Sequence, residues 1–194
     1  MKLDRLWIED FKNLKDIDID FDQDELVTVV IGWNGAGKSN VIEALVTIFK
    51  NLDLGGLTKF SYRLEYLCHG KCIHINADKE QKTADKQYQI KYCKAEGVDS
   101  DEAWKAIRFS KLNNKSADKF LPSNVFGYYS GPSDRLATHF YEHQRKFRDQ
   151  LLYPKKHKLD EKTLPLRPLF YAQKVHSNFV LLSFSGRIKK FKRF

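Results

Sequence analysis

Leu26-Val27-Thr28-Val29-Val30-Ile31-Gly32-Trp33-Asn34-Gly35-Ala36-Gly37-Lys38-Ser39 decides how this chain is read. From Gly32 to Ser39 the spacing is G-x-x-x-x-G-K-S. The residues before it are apolar almost throughout, the pattern of a central strand covered on both faces. A helical run from Asn40 to Lys50 follows. Strand, loop and helix in this order are the context in which such a loop binds phosphate. Its glycines let the backbone turn tightly, so that several N–H groups converge on one anion. Lys38 is placed to reach the β- and γ-phosphates of a nucleotide, and the Ser39 hydroxyl to hold Mg²⁺. The start of the helix adds partial positive charge at the same point. A Gly-rich turn that binds nothing is the alternative, and the Lys-Ser pair in register with strand and helix argues against it.

Working outward, the chain before the loop reads as two strands. Leu3–Ile8 alternates loosely, and Phe11-Lys12-Asn13-Leu14 reads as a turn. Asp16–Phe21 alternates strictly, with Ile17, Ile19 and Phe21 on one face and aspartates on the other, as in a half-buried strand. After the loop, Val41, Ile42, Ala44, Leu45, Val46, Ile48 and Phe49 make the helix apolar nearly all round, which predicts a buried helix broken by Gly55-Gly56. Tyr62–Cys68, Lys71–Ala77 and Gln87–Cys93 read as an antiparallel meander with a tight turn at His69-Gly70. Gly97–Lys119 reads as a short helix and loop. Asn124–Ser130 reads as a buried strand, and a helix with Leu136, Phe140, Phe147 and Leu151 on one face runs to Pro154. Leu169–Ala172 is a further short strand, and Ser177–Phe184 an apolar helix or strand.

Composition fits a folded chain. Of 194 residues, 42% are hydrophobic and 30% charged, which excludes a disordered class. No apolar run is long enough to span a bilayer, so no membrane association is expected. The first residues are polar where a signal peptide is apolar, which predicts a cytoplasmic protein. Three cysteines predict reduced thiols rather than a disulfide framework. Residues 1–25 hold nine acids and four bases, so of the net charge of +9 the remainder carries +14. That asymmetry fits a polyanion partner or a well-solvated surface.

Two meandering strands, a third apolar run, a phosphate loop and an apolar helix resemble the start of an ABC-type ATPase of the SMC and RecF-like group. The residues that carry the resemblance are Ile8-Glu9-Asp10-Phe11-Lys12-Asn13-Leu14 and Gly35-Ala36-Gly37-Lys38-Ser39-Asn40-Val41-Ile42-Glu43-Ala44-Leu45. Trp33 departs from it, since the group has a small residue or proline there. Phe126-Gly127-Tyr128-Tyr129-Ser130-Gly131-Pro132-Ser133-Asp134-Arg135-Leu136 resembles AAA-family ATPases found beside bacterial restriction systems. The resemblance implies an α/β, P-loop NTPase fold. It is the ABC-type N-terminal lobe, a mixed sheet around a buried helix with an antiparallel β-subdomain at about residues 60–95. It implies ATP and Mg²⁺ as ligands, held by Gly32, Asn34, Gly35, Ala36, Gly37, Lys38, Ser39 and Asn40. Lys12 and Asn13 are implied near the nucleotide's base or phosphates, and Asn34 at the γ-phosphate. DNA, a second copy or a complementary C-terminal ATPase half are the implied partners, in DNA repair, maintenance or defence.

Hydrolysis in that group also needs a strand ending in Asp-Glu. Asp101-Glu102 and Asp160-Glu161 both lack the preceding apolar run. Leu182-Ser183-Phe184-Ser185-Gly186 only mimics the group's Leu-Ser-Gly-Gly signature. Residues 1–184 are therefore expected to be the N-terminal part of a longer or split ATPase, with 185–194 a basic tail. A nucleotide-binding remnant without hydrolysis, and a basic nucleic-acid-binding module, are the alternatives. Lys155–Lys158 and the tail, with Phe191 and Phe194, are the DNA candidates. Cys68, His69, Cys72, His74 and Cys93 resemble a zinc set only by composition, because the turn at His69-Gly70 sends Cys68 and Cys72 to opposite faces. His139 and His143 read as surface or packing residues.

Overall fold

The computed structural model describes residues 1–22, 24, 25, 27–95, 103–112, 119–131, 133–154, 156 and 168–191, with side chains as far as residue 183. The chain divides into two compact units, Met1–Ser123 and Asn124–Phe194. The first contains β1 (Lys2–Phe11), β2 (Leu14–Asp20), α1 (Lys38–Leu54), β3 (Tyr62–Cys68), β4 (Lys71–Ala77), the single turn α2 (Ala84–Gln87), β5 (Tyr88–Lys94) and β6 (Lys105–Ile107). The six strands form one sheet in the order β2-β1-β3-β4-β5-β6, with every pair antiparallel.

Register explains why this sheet holds together. Ile19, Leu6, Leu64, Ile75, Ile90 and Ile107 stand opposite one another in turn, one residue from each strand. This aliphatic row runs the width of the sheet, and its four central members are buried. Burying each such side chain contributes about 1.5–3 kcal/mol. A one-residue slip would carry the whole row to the other face, so the register is strongly specified. Val41, Ala44, Ile48 and Leu52 of α1 are buried along one stripe, and the Phe49 ring meets Tyr66 of β3 edge-on at 5.8 Å. The opposite sheet face is polar. The Arg5 guanidinium donates to Asp18 at 2.7 Å, the Trp7 indole donates to Asp16 at 2.7 Å, and Arg63 lies 4.6 Å from the Trp7 ring centre.

The meander appears as predicted. His69 and Gly70 both take left-handed φ, 50° and 71°, and Cys68 stands opposite Lys71. That pair of conformations makes the tight hairpin turn whose twist matches the strands. β3 also pairs directly with β1, so the meander continues the N-terminal hairpin in one sheet.

The largest correction concerns the run before the phosphate loop. Residues 27–31 form no strand, and Val27, Val29 and Ile31 are 74%, 72% and 89% exposed. The expected mixed sheet around α1 is thus, in this unit, an antiparallel one. The reason is one of available edges. β1 has β2 on one side and β3 on the other, so neither of its edges is open. Of the sheet's two outer edges, one belongs to β2, where Asp16, Asp18 and Asp20 are exposed, and charged edges discourage pairing. The helix is also less buried than expected, since Ile42 is exposed and Leu45 half-buried. Within 97–119 the described residues form β6 and a 3₁₀ turn, Phe109–Lys111, in place of the expected short helix.

The second unit holds β7 (Val125–Tyr128), a 3₁₀ turn (Ala137–Phe140), α3 (Tyr141–Leu152), β8 (Leu169–Ala172) and α4 (Lys174–Phe191). β7 and β8 pair in parallel, Val125 opposite Leu169. Phe140 is fully buried, 5.5 Å from the Tyr171 ring, and its ring fills the space where a Cβ on Gly127 would lie. β7 is not the buried strand expected, for Phe126 and Tyr128 are exposed. His143 is buried and so belongs to packing. Leu182 and Ser183, the start of the signature mimic, lie inside α4, where the Ser183 hydroxyl donates to the Val180 carbonyl at 2.9 Å. Asp101-Glu102, Asp160-Glu161, Lys155, His157, Lys158 and Phe194 lie outside the described residues.

Candidate phosphate-binding site

The loop turns at two left-handed glycines. Gly35 has φ 88°, and Gly37, with φ 96°, immediately precedes the first residue of α1, Lys38. A side chain at Gly37 would be strained by that φ, and its Cβ would lie 2.6 Å from Leu14 Cδ2. Glycine is therefore required at Gly37 by both backbone and neighbour. The Ala36 N–H donates to the Trp33 carbonyl at 3.1 Å, closing the turn. The N–H groups of Asn40 and Val41 both donate to Gly37 O, at 2.8 and 3.0 Å. Those of Gly37, Lys38 and Ser39 donate to no acceptor among the described residues. Three donors at the start of a 17-residue helix make an anion-binding arrangement.

The side chains complete it. The Lys38 ammonium donates to the carbonyls of Gly32 at 2.6 Å and Trp33 at 2.8 Å, which holds its charge at the loop. Asn34 and the Ser39 hydroxyl make no side-chain hydrogen bond among the described residues. Gly32 to Ala36 are exposed and Gly37 to Asn40 half-buried, so the concavity is open to solvent. The β1–β2 turn lies against the loop. Asn13 Nδ2 donates to Gly35 O at 2.7 Å, and Asn13 Oδ1 accepts from Asn40 Nδ2 at 2.5 Å. The Lys12 ammonium pairs with the Glu43 carboxylate, which is buried on α1. All the residues predicted from sequence thus gather at one place, although Lys12 is directed to Glu43. Sequence reasoning gave Glu43 no role. The signal was present: an acid on a helix otherwise read as apolar needs a cation, and Lys12 lies on the neighbouring turn.

The thiols are elsewhere. Cys72 stands opposite Cys93 across β4 and β5, all three cysteines are free, and the described residues contain no group of three His, Cys, Asp or Glu side chains able to hold a metal. Among the described residues no helix is long and apolar enough to cross a membrane.

A glycine-turned loop closing onto a helix N-terminus, with Lys38 and Ser39 as the first helical residues, defines a P-loop NTPase of mixed α/β structure. The chain belongs to the AAA ATPase domain family, whose sequence profile matches residues 1–163. Membership in an ATPase family implies nucleotide binding. The chain is also similar to the DNA replication and repair protein RecF of Lactobacillus acidophilus, 47% identical over 45 residues. That match is 23% of this chain and 12% of the relative. RecF of Sodalis glossinidius is 32% identical over 83 residues, 40% of this chain and 22% of the relative. The matches therefore span less than a quarter of these relatives' length.

Proposed function

We propose that the chain binds ATP with Mg²⁺ through Gly32–Ser39, as one side of an ABC-type ATPase of the SMC/RecF-like group acting in DNA repair, maintenance or defence. The observation that carries this is the cluster of three N–H donors at Gly37, Lys38 and Ser39 beside the Lys38 ammonium. This donor set fits a polyphosphate: backbone N–H groups and an ammonium are what bind phosphate oxygens. Lys38 and the backbone of Gly35–Ser39 would hold the phosphates, Asn34 the terminal one, and the Ser39 hydroxyl the metal. Mg²⁺ supplies charge neutralisation on the phosphate oxygens. The residues that activate water are assigned to a complementary half or a second copy, since no Asp-Glu pair after an apolar run occurs in this sequence.

The test is nucleotide binding and turnover by the purified chain beside Lys38→Ala. The expected result is Mg²⁺-dependent ATP binding with little turnover, weakened roughly 10- to 100-fold by the substitution, the scale of a lost charge-assisted phosphate contact. Equal binding by both proteins overturns the assignment of the site. Robust turnover abolished by Lys38→Ala overturns the assignment of the water-activating group. A second reading, contact with nucleic acid, is favoured by Arg145, Lys146 and Arg148, exposed on α3. It predicts duplex binding that falls steeply as salt rises.

A further inference from the structure

We propose that Asn13 is a positioning residue for the phosphate loop, acting through the loop without touching nucleotide, and that the Lys12–Glu43 pair holds the turn that carries this latch. The ligand-related half of this rests on the reading of Gly32–Ser39 as a nucleotide site; the latch itself does not.

Four observations converge on the β1–β2 turn. First, the Asn13 amide is engaged at both ends, donating to Gly35 O at 2.7 Å and accepting from Asn40 Nδ2 at 2.5 Å. One side chain therefore ties the loop to the first turn of α1. Second, the Gly35–Ala36 peptide is pinned on both sides, its carbonyl by Asn13 and its N–H by Trp33 O. A planar peptide fixed at both ends has its orientation fixed, and with it the direction of the N–H groups that follow. Third, Leu14 and Asn13 occupy the space beside Gly37 where a Cβ would stand, at 2.6 and 3.0 Å. The sharpest bend of the loop is moulded on the turn. Fourth, Lys12 has φ 58°, a left-handed conformation disfavoured for a residue with a Cβ. Such strain persists where its surroundings over-determine it. Here the ammonium meets the Glu43 carboxylate, whose side chain is only 6% exposed. A buried carboxylate stripped of its cation is strongly destabilising. Lys12 thus has a partner in the protein, and its left-handed turn places Asn13 against the loop.

The experiment has two readouts. Backbone hydrogen exchange in the nucleotide-free protein compares wild type with Asn13→Ala and Asn13→Asp. Both variants are expected to speed exchange of the hydrogen-bonded loop amides, Ala36, Asn40 and Val41, about tenfold, one hydrogen bond's worth, while β3–β5 amides stay unchanged. Lys12→Ala is expected to do the same, and Lys12→Ala with Glu43→Gln to restore slow exchange. Binding is then measured with ATP, ADP and inorganic pyrophosphate. A residue acting through the loop weakens all three by a similar factor, about tenfold in Asn13→Ala. Unchanged loop exchange overturns the latch. Loss confined to ATP means a direct γ-phosphate contact, and loss sparing pyrophosphate a contact to the nucleoside; either overturns the positioning role. Should wild type bind none of the three, the nucleotide reading fails, and the exchange data still decide the latch.

Discussion

Two β-branched runs in this chain have opposite fates. In β4, Ile73 and Ile75 are 0% and 1% exposed. In 27–31, a run richer in β-branched residues, Val29 and Ile31 are 72% and 89% exposed. The difference is not propensity. β4 has β3 on one side and β5 on the other, whereas 27–31 has no ladder partner among the described residues. Strand propensity is largely the fit of a side chain to a pleated, half-buried surface. Without neighbouring strands there is no such surface, and the run forms no strand.

Substitution on the two sides gives the largest contrast. Ile75→Ala is expected to cost about 2–5 kcal/mol of unfolding free energy in denaturant titration, because it opens a cavity in the aliphatic row. Ile31→Ala is expected to stay within about 0.5 kcal/mol, as at an exposed site. Equal costs would mean that 27–31 is packed in solution. A smaller effect sharpens the account of the sheet's inner face. The Tyr62 hydroxyl is buried without a hydrogen-bond partner among the described residues, and burial pushes its pKa well above the usual range. Tyr62→Phe removes that polar atom and keeps the ring, so a gain of about 1 kcal/mol in thermal or denaturant unfolding is expected. A loss would reveal a partner for the hydroxyl. The smallest effect belongs to the outer face. The hydrogen bond from Arg5 holds the Asp18 carboxyl below its ordinary range, as Lys79 does for Glu9 and Lys15 for Asp10. A carboxyl depressed in the folded state stabilises above its unfolded pKa, and this is lost as pH falls through the folded value. The small difference in melting temperature between wild type and Asp18→Asn at pH 7 should shrink as pH falls below the ordinary aspartate value of about 3.9 and vanish once the folded carboxyl is protonated. A difference that persists there would assign the effect to packing.

What could be read from the sequence follows the same division. The meander was legible, β3 and β4 to the residue and β5 displaced by one, because alternation at Tyr62, Leu64, Tyr66 and Cys68, and a Gly at the turn, are local properties. The phosphate loop was legible because its glycines and Lys-Ser pair act within eight residues. Pairings between distant segments were not. Lys12 and Glu43 are 31 residues apart, and no periodicity connects them. Nor does a run such as Val27–Ile31 state whether a neighbouring strand is present. Ile42 was read as buried because α1 is apolar on several sides, yet burial depends on which sides the sheet covers.

Trp33 lies within the phosphate loop with 90% of its surface exposed. The chain's other two tryptophans are half-buried on the sheet's polar side, Trp7 bonded to Asp16 and Trp104 with its ring 4.0 Å from that of His74. The loop therefore carries its own optical reporter. A water-soluble quencher should reach Trp33 first, and whatever comes to cover the loop should shield its emission, without any label being added.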